Sequence, residues 1–195
     1  FNDTATTEIY TLSQHDALPI YALGYLHARG IYHRDIKPGN ILITMEGVPI
    51  LIDFGSARQR LSERSMTVVE SAGYTPFEQL ESRGNVGPWS DLYSLGATVV
   101  RVVTGQPLPK AMDRVRSDPY EPLASRLELQ QRYSGVLLGS IDRALEVEES
   151  ARWQDTGDWL QALAAVDDVA AASVPPSLPP VLTATVSAGE QARVS

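Results

Sequence analysis

The sequence has no cysteine, and only two of its 195 residues are lysines, Lys37 and Lys110. Without thiols there is no disulfide framework, no thiolate nucleophile and no cysteine-ligated metal, so any chemistry here uses oxygen and nitrogen groups. No uninterrupted apolar stretch approaches the roughly 20 residues that a membrane-spanning helix requires, and no basic start with an apolar run marks a signal peptide. Positive charge is scarce: 16 Lys and Arg against 24 Asp and Glu leave a net charge of −8 and a pI near 4.8. That balance argues against nucleic acid or an anionic membrane as the main partner. The expectation is a soluble, cytoplasmic chain. What is present is a 43% hydrophobic content, enough for one domain with a sizeable core.

Composition divides the chain into three. Residues 21–168 alternate apolar-periodic stretches with Gly and Pro punctuation and hold every recognisable motif. Residues 169–195, with Pro175, Pro176, Pro179 and Pro180 in an Ala/Val/Ser/Thr background, read as a disordered linker without a core of its own. Residues 1–20 show no clear helical period, and residues 2–20 resemble a peptide that recurs when sequencing-adapter DNA is translated at contig ends. That segment is set aside from fold reasoning, the alternative being a divergent but genuine helix and loop.

Within the body, Tyr21, Leu23, Tyr25 and Leu26 lead a helical stretch that Gly30 terminates. Two short apolar runs, Ile41 to Thr44 and Pro49 to Ile52, flank a Gly-containing turn and predict a hairpin. The run from Ser94 to Thr104 is apolar nearly all round, which predicts a buried helix stopped by Gly105. Helical repeats predict two more helices, over residues 135–147 and 156–167.

Phosphoryl transfer from a nucleotide asks little covalent chemistry of a protein. It needs metal-binding oxygens, a carboxylate near the attacking hydroxyl and a cation on the transferring phosphate. Asp35 and Asn40 stand five apart in a loop kept from helix by Pro38 and Gly39, so both can face one cleft, and Asp53 follows the predicted hairpin. His33-Arg34-Asp35 with Asn40, then Asp53-Phe54-Gly55, resembles the catalytic-loop and metal-loop pair of eukaryotic-like, bacterial-type serine/threonine protein kinases. The resemblance implies an α+β, mainly helical lobe with the hairpin beside the catalytic loop. It also implies Asp35 as catalytic base, Lys37 on the transferring phosphate, and Asn40 and Asp53 holding Mg2+ for ATP. Lys37, two residues after the Asp, resembles the lysine of serine/threonine kinases, which implies protein Ser and Thr hydroxyls as substrates.

The resemblance runs on through the body. Ser71-Ala72-Gly73-Tyr74-Thr75-Pro76-Phe77-Glu78 is similar to the end of an activation segment, with Ser71 where a substrate-facing Thr is usual. Ser90-Asp91 resembles a buried helix start whose Asp91 accepts hydrogen bonds from the catalytic-loop backbone; an ordinary helix N-cap is the alternative. Arg152 resembles the arginine that pairs with the activation-segment glutamate, which implies a buried Glu78–Arg152 ion pair. Ser65 and Thr67 are candidate phosphorylation sites whose phosphate would pair with Arg34, against the alternative of an ordinary polar loop.

A glycine-rich lid, G-x-G-x-x-G, and a strand lysine for the nucleotide phosphates are missing from the sequence. The expectation is a carboxy-terminal lobe that is incompetent alone, from a parent for which the resemblance allows dimerisation and membrane anchoring beyond Ser195. The alternatives are a truncated, pseudokinase-like binding module and a small-molecule phosphotransferase of the same fold.

Overall fold

The structure, a computed structural model, describes residues 18–54 and 72–164. Helix α1 covers Leu18–His27 and is followed by a turn in which Gly30 takes a left-handed φ of 67°. The helix starts ahead of Tyr21, and Ile20 is buried in the core together with Leu23. A 3₁₀ turn, Pro38–Asn40, leads into the antiparallel pair β1 (Ile41–Ile43) and β2 (Pro49–Leu51), in register Ile41↔Leu51, Leu42↔Ile50 and Ile43↔Pro49. Thr44 closes the hairpin by exchanging backbone hydrogen bonds with Val48 and Gly47.

A second 3₁₀ turn, Phe77–Gln79, precedes α2, Pro88–Thr104. Helix α2 begins at Pro88, whose fixed φ suits a first helical turn, and ends where Gly105 adopts φ 71°, a conformation that costs glycine little. Its buried face is more polar than the apolar run suggests. Ser94 and Thr98 are buried and return their hydroxyls to the carbonyls of Ser90 and Ser94, at 3.1 and 2.9 Å, so no polar group is stranded. Nor is α2 sealed along its length, since Val102 in the last turn is 71% exposed.

Short helices α3 (Ala111–Arg116) and α4 (Leu127–Gln130) lead to α5 (Gly135–Ala144) and α6 (Thr156–Ala164). Ser134 caps α5 by accepting from the Leu137 amide, and α5 ends at Ala144, three residues short of the periodic pattern. Asp155 caps α6 by accepting from the Asp158 amide. The core joins Leu23 of α1, Leu92, Ala97 and Val100 of α2, Leu138 and Ile141 of α5, and Trp159 of α6. Among the described residues the fold is mixed and mainly helical with one hairpin, and no helix is long and apolar enough to cross a membrane. The hairpin packs against α1, and α1 and α5 both pack against α2.

Candidate active site

The loop between α1 and β1 gathers three of the candidate residues around one carboxylate. The 3₁₀ turn folds Asn40 back, and its Nδ2 donates to the backbone carbonyl of Asp35 at 2.7 Å and to Asp35 Oδ2 at 3.0 Å. Lys37 Nζ lies 3.0 Å from the same Oδ2, with both side chains only slightly exposed. A carboxylate held by an ammonium and an amide stays in one orientation. Because Nδ2 is spent on Asp35, the group Asn40 has left to offer a cation is its carbonyl oxygen.

Asp53 reaches the same place through the hairpin. The Ile52 amide donates to the Asn40 carbonyl at 2.9 Å, which sets the residue before Asp53 directly against the loop. His33, fully buried, completes the tie: its Nε2 donates to the Ile52 carbonyl at 3.1 Å. Since a carbonyl only accepts, the proton is on Nε2, leaving Nδ1 to accept the Asp35 amide at 3.4 Å. The His33 ring also meets Phe54 edge-on, with centroids 4.8 Å apart. Asp53 has a left-handed φ of 62° and Arg34 one of 66°, conformations uncommon outside glycine that persist only where surroundings over-determine them.

For Arg34 the determining group is Asp91, completely buried in the first turn of α2. Asp91 Oδ1 accepts the Arg34 amide and Oδ2 the His33 amide, both at 2.8 Å, across 57 and 58 residues of sequence. The helix N-terminus adds a favourable field for the carboxylate. Arg34 itself buries an Nε with no hydrogen-bond partner.

Glu78 and Arg152 form a separate pair. Arg152 Nη1 and Nη2 donate to Glu78 Oε1 and Oε2 at 2.8 and 3.2 Å, with residue exposures of 1% and 4%. Arg152 gives its other donors to the carbonyls of Glu146 and Val147 and lies over the Tyr93 ring. Burial raises the Tyr93 phenol above its usual value, against the pull of Arg114 and Arg152. Gly84 is required beside this pair, because a Cβ there would fall 1.7 Å from the Glu78 carbonyl oxygen.

Gly55, Ser65, Thr67 and Ser71 lie outside the described residues, as do residues 165–195, which include the 169–195 linker, and the first 17 residues. Two contributors escaped the sequence. Ser90 accepts from the Gly87 amide, capping α2, and donates to Glu78 Oε1 at 2.7 Å, joining the helix start to the ion pair. His27 donates from Nε2 to Asp91 Oδ2 at 2.8 Å. A histidine in helical register with the apolar Ile20 and Leu23 was the available signal.

Residues 18–154 match the family described as Protein kinase domain. The serine/threonine-protein kinase PknA of Nostoc sp. strain PCC 7120 is 33% identical over 171 residues, a match covering 83% of this chain and 28% of PknA. PknB of Mycobacterium tuberculosis is 35% identical over 175 residues, covering 83% of this chain and 26% of PknB. This chain therefore spans little more than a quarter of these relatives' length. Among solved structures, "PpkA-294 apo form" superposes with TM-score 0.67 at 34% identity, covering 77% of this chain and 52% of that one. The Mycobacterium tuberculosis PknI kinase domain superposes with TM-score 0.53 at 25% identity, covering 78% and 53%. With its profile match, its relatives and its folded loop in agreement, the chain belongs to the protein kinase domain family, in its bacterial-type serine/threonine branch.

Proposed function

We propose that this chain is the catalytic-loop lobe of a kinase that transfers the γ-phosphate of ATP to Ser and Thr hydroxyls of proteins. The observation that carries the reading is the Asp35 carboxylate, held by Lys37 Nζ and Asn40 Nδ2 at 3.0 Å each. Asp35 orients the substrate hydroxyl and takes its proton as the oxygen bonds to phosphorus and the bond to the ADP oxygen breaks. Lys37 lies close enough to Asp35 to bridge base and phosphate, so its ammonium offsets charge on the transferring group.

The oxygen donors present suit a hard divalent cation. Asn40 offers a carbonyl oxygen and Asp53 a carboxylate, the one-or-two-ligand set that Mg2+ adopts when substrate phosphates and water complete its shell. When bound, Mg2+ neutralises phosphate charge. Leu42 and Ile50, opposite one another in the hairpin register, are 54% and 46% exposed beside this loop and offer an apolar seat for the nucleotide base. Glu78–Arg152 and Asp91 are structural supports. Arg34, with its unpartnered buried Nε, is the group that a phosphate on Ser65 or Thr67 would engage. Ser71 falls to substrate contact, and residues 1–17 and 169–195 stay outside the catalytic domain, whose first helix begins at Leu18.

The sequence holds neither G-x-G-x-x-G nor a lysine beyond Lys37 and Lys110, so the chain alone should transfer phosphate at or near background. The test is transfer from radiolabelled ATP to casein, by the chain alone and by a fusion carrying a glycine-rich nucleotide-binding lobe ahead of Leu18. Activity of the fusion, lost in Asp35→Ala and Asp53→Ala, is the expected result. Unchanged turnover in either variant refutes the role assigned to that residue, and robust autophosphorylation by the chain alone, abolished by Asp35→Ala, refutes its incompetence.

A further inference from the structure

We infer that Gly73 is a positioning residue for the protein substrate, because it seats the end of the activation segment on the backbone of Pro107 and Leu108. The inference rests on the proposed phosphotransfer, in which Ser71, two residues earlier, contacts the protein that receives phosphate. Gly73 sits in a turn, residues 72–74, and its φ lies outside the left-handed range, so conformation alone does not call for glycine. The demand is for space. A Cβ here would fall 2.9 Å from the Leu108 carbonyl oxygen and 3.6 Å from the Pro107 Cβ. Bare backbone therefore lies directly on backbone, a close approach that any side chain would push apart.

Neither side of this contact yields easily. Beneath it, Leu108 is 2% exposed in the core, and Pro107 and Pro109 fix φ on either side of it. Thr104 Oγ1 accepts the Gln106 amide at 3.1 Å and donates to the Val100 carbonyl at 2.7 Å, which ties this stretch back to α2. Buried Arg114 anchors α3, next in the chain, by donating to the Leu145 carbonyl at 2.7 Å and to both carboxylate oxygens of Asp118. Above the contact, Tyr74 packs against the core, Pro76 is buried and Glu78 is locked to Arg152. A methyl on Gly73 therefore moves the turn itself, not the shelf beneath it and not Glu78. The Asp35 carboxylate keeps Lys37 and Asn40 as its partners, so what changes is where a bound substrate chain lies relative to it.

Gly73→Ala and Gly139→Ala add the same methyl in opposite settings, since a Cβ on Gly139 of α5 meets nothing within 4 Å. Dephosphorylated casein is titrated into the chain by isothermal calorimetry, with urea midpoints measured alongside. The casein dissociation constant should rise about tenfold in Gly73→Ala, within the reach of a displacement of about 1 Å, and stay as it is in Gly139→Ala. In the fusion with a nucleotide-binding lobe, KM for casein should rise by a similar factor while kcat and the KM for ATP hold, a split that a merely structural loss would not give. Equal affinity in the wild type and Gly73→Ala, an equal loss in Gly139→Ala, a fall in kcat with an unchanged KM, or no casein binding by the unsubstituted chain overturns the assignment. Should Gly73→Ala fail to fold, Pro107→Gly decides by the same titration: freeing the shelf should weaken casein binding, and unchanged affinity overturns the seat. Asp35→Ala should bind casein as the wild type does and transfer nothing, so failure of phosphotransfer and failure of the seat are separate results.

Discussion

Asp35–Lys37 and Glu78–Arg152 are both carboxylate–cation pairs at hydrogen-bond distance, 3.0 and 2.8 Å, yet they do different work. The first joins residues two apart, with side-chain exposures of 12% and 15%; the second joins residues 74 apart, with exposures of 4% and 1%. Around Arg152 the remaining donors are taken by the carbonyls of Glu146 and Val147, and Ser90 adds a hydroxyl to Glu78. Such a sealed, fully partnered pair is a structural lock, because losing one side strands the other charge. The loop pair stays within reach of solvent, as the proposed phosphotransfer role requires. Partner number and burial, rather than the ion pair itself, separate support from chemistry.

The largest expected effect comes from breaking the lock. Arg152→Ala should destabilise the chain by about 3–5 kcal/mol, read as a shift in urea unfolding, whereas Glu78→Leu with Arg152→Met should recover much of that loss. A double variant no better than the single would mean that the pair's geometry, and not its stranded charge, sets the cost. Glycines sharpen the contrast next. A Cβ on Gly96 would sit 3.2 Å from the Ala144 Cβ and 3.3 Å from Leu145, while one on Gly39 meets nothing within 4 Å. Gly96→Val should cost about 1–3 kcal/mol by overpacking, with Gly39→Ala close to neutral in the same unfolding experiment.

Truncating the site pair should matter least to stability. Asp35→Ala should cost about 1 kcal/mol or less, since the pair is partly exposed and Asn40 keeps its 2.7 Å bond to the Asp35 backbone carbonyl. A thermal unfolding loss as large as that of Arg152→Ala would erase the distinction drawn above. At neutral pH the last effect is silent. Tyr93 and Tyr120 are both held above the usual 10.0, by burial first and, for Tyr120, by its 2.5 Å hydrogen bond to Asp142 as well. A folded-state value above the unfolded one stabilises the protein below pH 10.0, and that contribution is lost as pH rises through the folded-state values. Urea midpoints should therefore fall above about pH 10, alongside late tyrosinate absorbance.

Much of the site was legible because its parts are local. Pro38 and Gly39 keep Asp35 and Asn40 in one turn, and the hairpin returns the chain from Asn40 to Ile52, so short spacings already imply proximity. The beginning of α2 is harder to read from periodicity. Its apolar run starts at Ser94, but the helix starts at Pro88, and it is the resemblance of Ser90-Asp91 to a buried helix start that marks Asp91 as the acceptor of the loop amides. His27 shows the same limit: helical register puts it on the face of Ile20 and Leu23, but only the meeting of α1 with α2 brings it to Asp91.

The sequence by itself determined the chemical groups and the local backbone: a carboxylate, an amide and an ammonium within one turn, a hairpin after it, and Gly105 closing α2. These follow from φ restriction, turn chemistry and periodicity, which act over a few residues. The resemblance named Glu78, Arg152 and Asp91 as buried partners, and tertiary structure supplied the contacts that seal them, with Ser90 and His27 added. Asp91 meets His27 across 64 residues and Glu78 meets Arg152 across 74, contacts set by how helices pack around the core and by the need of every buried charge for partners.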